Sequence, residues 1–257
     1  MGAYISQLLF QPPDVSYLHA KKHIIWLKTV KNESIPAFFI DRKAQVTVLF
    51  SHGNAEDLGM IYEWFLEFSK DLNVNLFAYD YEGYGKASGE PSESAVYDDI
   101  DAAYTFLIDT LKMLPANIIL YGRSLGSGPS TYLAEKLAKK NVRLGGLILQ
   151  SPLLSVYRVA FNFRFTFPCD MFPNVDRIPH IACPLLVIHG TRDEVVPFWN
   201  GQDLFFASPV QWRSQPLWVE NGGHNNLEVV LKENDVLYNH IKSFFHEWVP
   251  SYSVKGV

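Results

Sequence analysis

Cysteine is scarce in this chain: only Cys169 and Cys183 occur among 257 residues. Two cysteines provide neither the disulfide framework of a small secreted protein nor the ligands of a zinc site, so we expect a reducing, cytoplasmic setting. The chain also lacks an excess of basic residues, since its formal net charge is −5. Nucleic-acid-binding domains carry a basic patch, and the composition therefore argues against a nucleic-acid partner.

Long apolar runs are missing as well. None approaches the ~20 residues that a membrane-spanning helix needs. Pro12 and Pro13 directly follow the short apolar stretch near the N-terminus, which is unlike a signal peptide. The chain is nonetheless 48% hydrophobic, enough to bury one full-sized α/β core at this length. No linker or repeat divides the sequence, so residues 1–257 are predicted to form a single domain.

The order of predicted elements indicates the fold class. Two early strands, 23–30 and 35–40, precede a regular alternation of strands and helices from residue 46 onward. The later strands are predicted at 46–50, 74–79, from 118, 144–150, 185–189 and 217–219, and the helices at 58–72, 92–111, 129–139, 198–206 and 231–248. Apolar strands separated by helices are typical of an α/β protein with a mostly parallel sheet and helices on both faces.

The most informative stretch is a Gly-x-Ser-x-Gly turn after an apolar strand, formed by Gly122, Ser124 and Gly126. A strand, this turn and a helix together are typical of the nucleophile elbow of a serine hydrolase. Such a turn is too sharp to admit side chains at the two flanking positions, and glycine also tolerates strained dihedral angles. The pattern predicts that the Ser124 hydroxyl is exposed at the apex, facing the positive end of the next helix.

A serine hydroxyl becomes a good nucleophile only when a base takes its proton and a third group orients that base. In elbow hydrolases these groups follow the chain order Ser, acid, His. Ser124, Asp193 and His224 occur in that order, each after a predicted strand, and are predicted to be nucleophile, acid and base. Two alternatives concern the acid: Asp193 could cap the helix near residue 198, and Glu194 is the adjacent carboxylate.

Backbone N–H groups are expected to stabilise the developing oxyanion. In elbow hydrolases one comes from the residue after the nucleophile, here Leu125, and the other from the loop after an earlier strand, here Asn54. In that loop His52 is expected to be structural rather than a second base, and His189 is expected to be a core histidine. The remaining histidines have no partner motif, so we predict no metal site.

Two clusters are open to structural or functional interpretation. An aromatic segment could either pack in the core or wall an acyl-chain pocket, and it contains Phe161, Phe163, Phe165, Phe167 and Phe172. Three carboxylates on the predicted helix 92–111 fan around the helix axis and are expected to form a solvated face; they are Asp98, Asp99 and Asp101.

With these motifs the sequence resembles the α/β-hydrolases and, more narrowly, the α/β-hydrolase domain-containing protein 17 family of membrane-associated protein depalmitoylases. The likeness spans about residues 46–246, through segments 51–55, 80–85, 88–93, 118–126, 172–174, 189–195, 216–220 and 223–225. It implies an α/β-hydrolase fold, with Ser124, Asp193 and His224 cleaving thioesters of S-palmitoylated proteins. Arg123 stands where that family has glutamine, and no cysteine of a palmitoylated N-terminus precedes Cys169.

The expected function is therefore that of a cytoplasmic serine hydrolase that forms an acyl-enzyme at Ser124 and needs no cofactor. The favoured substrates are long-chain acyl thioesters on protein cysteines. Lipid esters or small esters are the alternative, because thioester and ester cleavage use the same three residues. A non-catalytic, hydrolase-like ligand-binding protein is a second alternative, although such proteins usually lack one of the three residues, and all three are present here.

The N-terminus suggests how the protein meets a membrane. Gly2 after Met1, with Ser6 four positions later, fits the N-myristoylation pattern. One myristoyl chain binds membranes only weakly, so we expect a second contribution from an apolar patch of Ile5, Leu8, Leu9 and Phe10, helped by Lys21 and Lys22. Residues 1–20 are thus predicted to be a membrane-association segment on the cytoplasmic leaflet.

Overall fold

The computed structural model describes residues 9–17, 24–161, 170–227 and 235–252. The strands of its sheet are β1 (Ile25–Lys28), β2 (Ser34–Ile40), β3 (Thr47–Ser51), β4 (Asn75–Tyr79), β5 (Ile118–Arg123), β6 (Gly146–Gln150), β7 (Leu185–Gly190) and β8 (Leu217–Val219). They lie in the order β1-β2-β4-β3-β5-β6-β7-β8. β2 pairs antiparallel with β1 and β4, and the other neighbours pair parallel, so the predicted mostly parallel sheet is confirmed.

The helices connect these strands. They are α1 (Tyr62–Asp71), α2 (Glu93–Thr105), α3 (Ser127–Lys139), α4 (Val156–Phe161), α5 (Asn174–Arg177), α6 (Trp199–Ala207) and α7 (Val236–Trp248). At the start of α2 the Ser92 hydroxyl accepts a hydrogen bond from the Ala95 N–H at 3.1 Å, which is the N-cap expected of serine. The predicted helix 92–111 ends earlier, at Thr105, and continues as one π-helical turn to Thr110.

Two apolar cores cover the two faces of the sheet. Leu49 of β3 and Ile100 of α2 belong to one core, whereas Val48 of β3 packs in the other with Phe65 of α1 and Ile241 of α7. Because successive side chains of a strand point to opposite faces, a strand covered on both sides must be apolar at every position. This burial explains the unbroken apolar runs from which the strands were predicted.

The prediction that three carboxylates of α2 form a solvated face is wrong for one of them, Asp99. Asp99 is fully buried, and its carboxylate accepts a hydrogen bond from the Glu82 N–H at 2.9 Å. Burial raises the pKa of this carboxyl well above its ordinary value. Asp99 therefore fastens the loop after β4 to the helix, a role that depends on where α2 packs and not on the spacing of its carboxylates.

Phe10 also lies elsewhere than expected. It is only 4% exposed, and its ring meets the edge of the buried Phe172 ring at a centroid distance of 6.2 Å. Phe10 is thus a core residue and not part of a membrane-facing patch. Of the two interpretations of the aromatic segment, core packing is the correct one for Phe172. Several other residues singled out in the sequence lie outside the described residues: Gly2, Ile5, Leu8, Lys21, Lys22, Phe163, Phe165, Phe167 and Cys169.

Candidate active site

The predicted site residues follow four strands in one half of the sheet. Asn54 follows β3, Ser124 follows β5, Asp193 follows β7 and His224 follows β8. These strands and β6, which lies between β5 and β7, are all mutually parallel. Their carboxyl ends therefore meet at one edge, where open α/β sheets place their sites.

Ser124 occupies a strained turn between β5 and α3. Its φ is +52°, in the left-handed region that non-glycine residues rarely adopt. The flanking glycines are required for space, because a Cβ on Gly126 would overlap the Ser51 carbonyl oxygen and one on Gly122 would overlap the Gly126 carbonyl oxygen. The predicted elbow is present, but the serine rather than the glycines carries its positive φ.

Three side chains from distant parts of the sequence form one hydrogen-bonded chain. The Ser124 Oγ lies 3.0 Å from His224 Nε2, and His224 Nδ1 lies 2.8 Å from Asp193 Oδ2. With Nδ1 protonated and donating to the carboxylate, Nε2 is free to accept the serine proton. The structure thus brings together the three residues that the sequence analysis proposed as nucleophile, base and acid.

Asp193 is ionised and lies on the side of the His224 ring that faces away from Ser124. Burial alone would raise its pKa, but hydrogen bonds from His189 and His224 and from the Val196 N–H reverse this, so the pKa lies below the ordinary value for aspartate. Asp193 Oδ1 accepts the N–H groups of Val195 and Val196 at 3.0 and 2.7 Å. Helix α6 has Phe198 at its N-cap and no side-chain cap, so the capping alternative for Asp193 is wrong.

His189 contacts the acid, which the sequence analysis did not anticipate. This fully buried ring of β7 lies with Nε2 2.9 Å from the Val196 carbonyl oxygen and 3.2 Å from Asp193 Oδ2. Both of these oxygens are acceptors, so Nε2 carries a proton and donates it toward them, whereas Nδ1 has no hydrogen-bond partner within the described part of the chain. The four-residue spacing from Asp193 was the available signal, but only the turn after β7 brings the two groups together.

Glu194 contributes to the same corner through the backbone. Its Oε2 accepts the His224 N–H at 3.2 Å, while the Asp193 carboxylate faces the imidazole ring. The two neighbouring carboxylates therefore contact different parts of the same histidine. This arrangement favours Asp193 over Glu194 as the acid, because a group that orients the base must contact its ring.

Asn54 and Leu125, whose N–H groups are the predicted oxyanion donors, both lie close to Ser124. Asn54 shares a cleft with Ser124 and His224, and Leu125 directly follows Ser124 in a short 3₁₀ turn, Ser124–Gly126. No described residue accepts a hydrogen bond from either backbone N–H group. A donor that is to stabilise an oxyanion must be unpaired in this way before substrate binds.

His52 is a structural residue, as expected. Its Nδ1 lies 2.7 Å from the Gly53 carbonyl oxygen, and its ring packs on Tyr81 with centroids 4.1 Å apart. Burial lowers the pKa of His52 to about 4. A ring that is neutral at physiological pH and enclosed on all sides has no access to substrate.

A cleft of about 400 Å³ opens over Ser124. The lining residues are Gln11, Gly53, Asn54, Ala55, Glu56, Met60, Arg123, Ser124, Val195, His224 and Asn225. Two apolar side chains stand exposed at its mouth, Met60 at 57% and Val195 at 48%. Arg123 forms an ion pair with Glu56, which also accepts the Gly53 N–H at 2.8 Å. Glu56 was missed from the sequence, because nothing in its neighbourhood predicts its distant partner.

The structure was also searched for metal and membrane features. Across residues 9–17, 24–161, 170–227 and 235–252, no cluster of three or more histidine, cysteine or carboxylate side chains could bind a metal ion. None of the helices in these ranges is both long and apolar enough to cross a bilayer.

Comparisons with known proteins agree with this geometry. A family model described as serine aminopeptidase, S33 matches residues 42–166. The human α/β-hydrolase domain-containing protein 17B is 38% identical, over 89% of this chain and 87% of that protein. The mouse protein 17C is 41% identical, over 80% of this chain and 63% of that protein.

Solved structures share the fold. An esterase of Pyrococcus furiosus superimposes with a TM-score of 0.71 at 19% identity, covering 93% of this chain and 99% of the esterase. An α/β-hydrolase of Vibrio vulnificus gives a TM-score of 0.68 at 19% identity, covering 86% of this chain and 81% of that one. From its fold, its site and its relatives, the chain belongs to the α/β-hydrolase domain-containing protein 17 family and is a serine hydrolase.

Proposed function

We propose that Ser124 is the nucleophile, His224 the general base and Asp193 the acid of an acyl-transfer enzyme. The observation that carries this proposal is the hydrogen-bonded chain from Asp193 through both ring nitrogens of His224 to the Ser124 hydroxyl. A neutral His224 with a carboxylate behind it accepts the serine proton at Nε2 while Asp193 stabilises the imidazolium that forms.

The reaction follows from these positions. Ser124 Oγ attacks the acyl carbonyl carbon and gives its proton to His224. The N–H groups of Asn54 and Leu125 stabilise the oxyanion of the tetrahedral intermediate. His224 then protonates the leaving group as the acyl-enzyme forms. Water loses a proton to the same nitrogen, attacks the acyl-enzyme, and the fatty acid departs as Ser124 regains its proton.

The favoured substrates are long-chain acyl thioesters on protein cysteines. A thiolate leaves readily because the pKa of a cysteine thiol is near 8.5, and the resemblance to the depalmitoylase family points to the same class. Met60 and Val195, exposed at the cleft mouth, offer apolar surface to an acyl chain. A carboxylesterase of small or lipid esters is the second candidate, which the polar Gln11, Glu56 and Asn225 in the cleft lining favour.

A chain-length series separates the two candidates. We expect kcat/KM to rise from C4 to C16 acyl thioesters, because each methylene buried against the enzyme contributes up to ~0.8 kcal/mol. Matched oxygen esters of the same lengths should be assayed beside the thioesters, with micelle formation monitored. A maximum at acetyl or butyryl esters would instead support the small-ester carboxylesterase.

We also propose that residues 1–257 form one hydrolase domain whose first segment, within residues 1–20, attaches it to the cytoplasmic face of a membrane. Gly2 is the proposed myristoylation site, exposed once Met1 is removed. Phe10 is buried and Leu9 packs against the same core, so the apolar contribution is now expected from Ile5 and Leu8, helped by Lys21 and Lys22. S-acylated proteins on the same membrane are then the proposed partners.

The anchor has its own test. Gly2→Ala should move the protein from the membrane to the soluble fraction of a myristoylation-competent host, because one acyl chain supplies much of the weak membrane affinity. Hydrolysis of a water-soluble ester by the same variant should stay unchanged. Intact-mass analysis of the wild-type protein should show one added myristoyl group. An unmodified N-terminus would refute the anchor.

A further inference from the structure

The segment 9–17 runs against the loop that follows β3. The side-chain amide of Asn54, which belongs to this loop, makes three hydrogen bonds to residues outside the loop. Its Nδ2 donates to the Leu9 carbonyl oxygen at 2.6 Å, and its Oδ1 accepts the Gln11 N–H at 3.0 Å. The Tyr84 hydroxyl donates to the same Oδ1 at 2.6 Å. Both polar atoms of the Asn54 side chain are therefore already hydrogen-bonded within the protein, where they fix the loop.

A second set of bonds fastens the other end of this loop. Asp57 accepts the Ser16 N–H at 2.7 Å and also the Ser16 hydroxyl. Tyr17 donates its hydroxyl to the buried Asp80, whose other oxygen accepts the Leu58 N–H at 2.9 Å. Segment and loop are thus joined at residues 54, 57 and 58.

Phe10 lies between Leu9 and Gln11, the two segment residues of the first set of bonds, and it anchors the segment in the core. It is inserted into the core against Phe172, which in turn packs so closely on α3 that a Cβ on Gly128 would overlap its ring. The helix that begins behind Ser124 and the loop that carries Asn54 are therefore connected through one buried aromatic contact. A shift of the segment would move the loop relative to the elbow.

We propose that residues 9–17, together with Tyr84, position the Asn54 N–H for the oxyanion. This inference rests on the proposed function. Oxyanion stabilisation depends on donors that are already oriented before charge develops, and a displacement of about 1 Å can cost ~100-fold in rate. The three bonds to the Asn54 amide fix the loop, and hence the adjacent N–H, without any contact between the segment and substrate.

Asn54→Ala tests this directly, because it keeps the backbone N–H and removes all three bonds. We expect kcat to fall about 10- to 100-fold with little change in KM. Inhibition by a long-chain trifluoromethyl ketone, which forms a tetrahedral oxyanion adduct with serine, should weaken by the same factor as kcat/KM. Inhibition by a long-chain primary alcohol, which places no negative oxygen at the donors, should not change. Tyr84→Phe, which removes one bond of the three, should act in the same direction and less strongly.

Phe10→Ala detaches the segment at a distance from the loop and should also lower kcat and ketone affinity together. Asp14→Ala alters an exposed side chain of the same segment and should leave both unchanged. Rates of the variants that keep Ser124 are normalised to folded enzyme by end-point fluorophosphonate labelling, and the rate of Ser124→Ala is normalised to total folded protein. If Asn54→Ala and Tyr84→Phe keep wild-type kcat while Ser124→Ala is inactive, the positioning role is refuted and the proposed function stands. An active Ser124→Ala would refute the proposed function itself.

Discussion

Replacing Ser124 with alanine is expected to abolish covalent labelling by a fluorophosphonate probe and to lower kcat by about 10⁴-fold or more. Alanine removes the only atom that can bond to the acyl carbon, while His224 and the oxyanion donors stay in place. Gel fluorescence of the probe and steady-state hydrolysis of an acyl thioester measure the two effects. The residual rate reports how much catalysis the donors and substrate binding supply without a nucleophile.

The fold should survive this change. Alanine and serine face the same steric cost at a φ of +52°, and the lost hydroxyl binds only His224 among the described side chains. The melting temperature should therefore stay near that of the wild type. Ser94→Ala, which removes an exposed hydroxyl at the start of α2, is the matched control and should label normally. Labelling of Ser124→Ala at the wild-type rate would refute Ser124 as the nucleophile. If the wild-type protein also hydrolysed neither esters nor thioesters, the non-catalytic alternative would be supported.

Asp193→Asn is expected to lower kcat by about 10²- to 10⁴-fold. Asparagine keeps the shape of the side chain but removes the negative charge behind His224. In the wild type, Oδ2 contacts the His189 and His224 rings, while Oδ1 accepts the Val195 and Val196 N–H groups. The single oxygen of an amide can serve only one of these two sets, and its NH₂ group then faces the other. The His224 ring is then pushed toward the tautomer that carries its proton on Nε2, where it can no longer accept the proton of serine. Steady-state kinetics at saturating substrate measure the loss.

The matched control changes the neighbouring carboxylate. Glu194→Gln keeps an oxygen for the His224 N–H and leaves the ring-facing Asp193 untouched, so we expect less than a tenfold loss in kcat, since a neutral hydrogen bond is only modestly weaker than a charged one. The comparison is decisive in both directions. A crippled Glu194→Gln beside a mild Asp193→Asn would mean that Glu194 is the acid and that the hydrogen-bond pattern has been misassigned.

The elbow could be predicted because its causes are local. The turn at Ser124 needs a very small residue two positions before the serine and another two positions after it. The sequence shows these as Gly122 and Gly126. Asp193 and His224 could be predicted because each follows a predicted apolar strand in a fixed chain order. The strands themselves are visible because burial on two faces leaves unbroken apolar runs. The positive φ of Ser124 was not predicted, because the sequence analysis attributed tolerance of backbone strain only to the glycines.

The sequence by itself determined the sheet, the elbow and the identity of the three residues that meet at its carboxyl edge, because periodicity and turn chemistry act over a few neighbouring residues. Only the tertiary structure decided that Phe10 is buried, that Glu56 pairs with Arg123, and that His189 contacts Asp193. The same holds for the bonds from Leu9 and Gln11 to Asn54, which span 45 and 43 residues. A polar or aromatic side chain carries no local mark of a partner so distant along the chain, since that partner is chosen by how the elements pack.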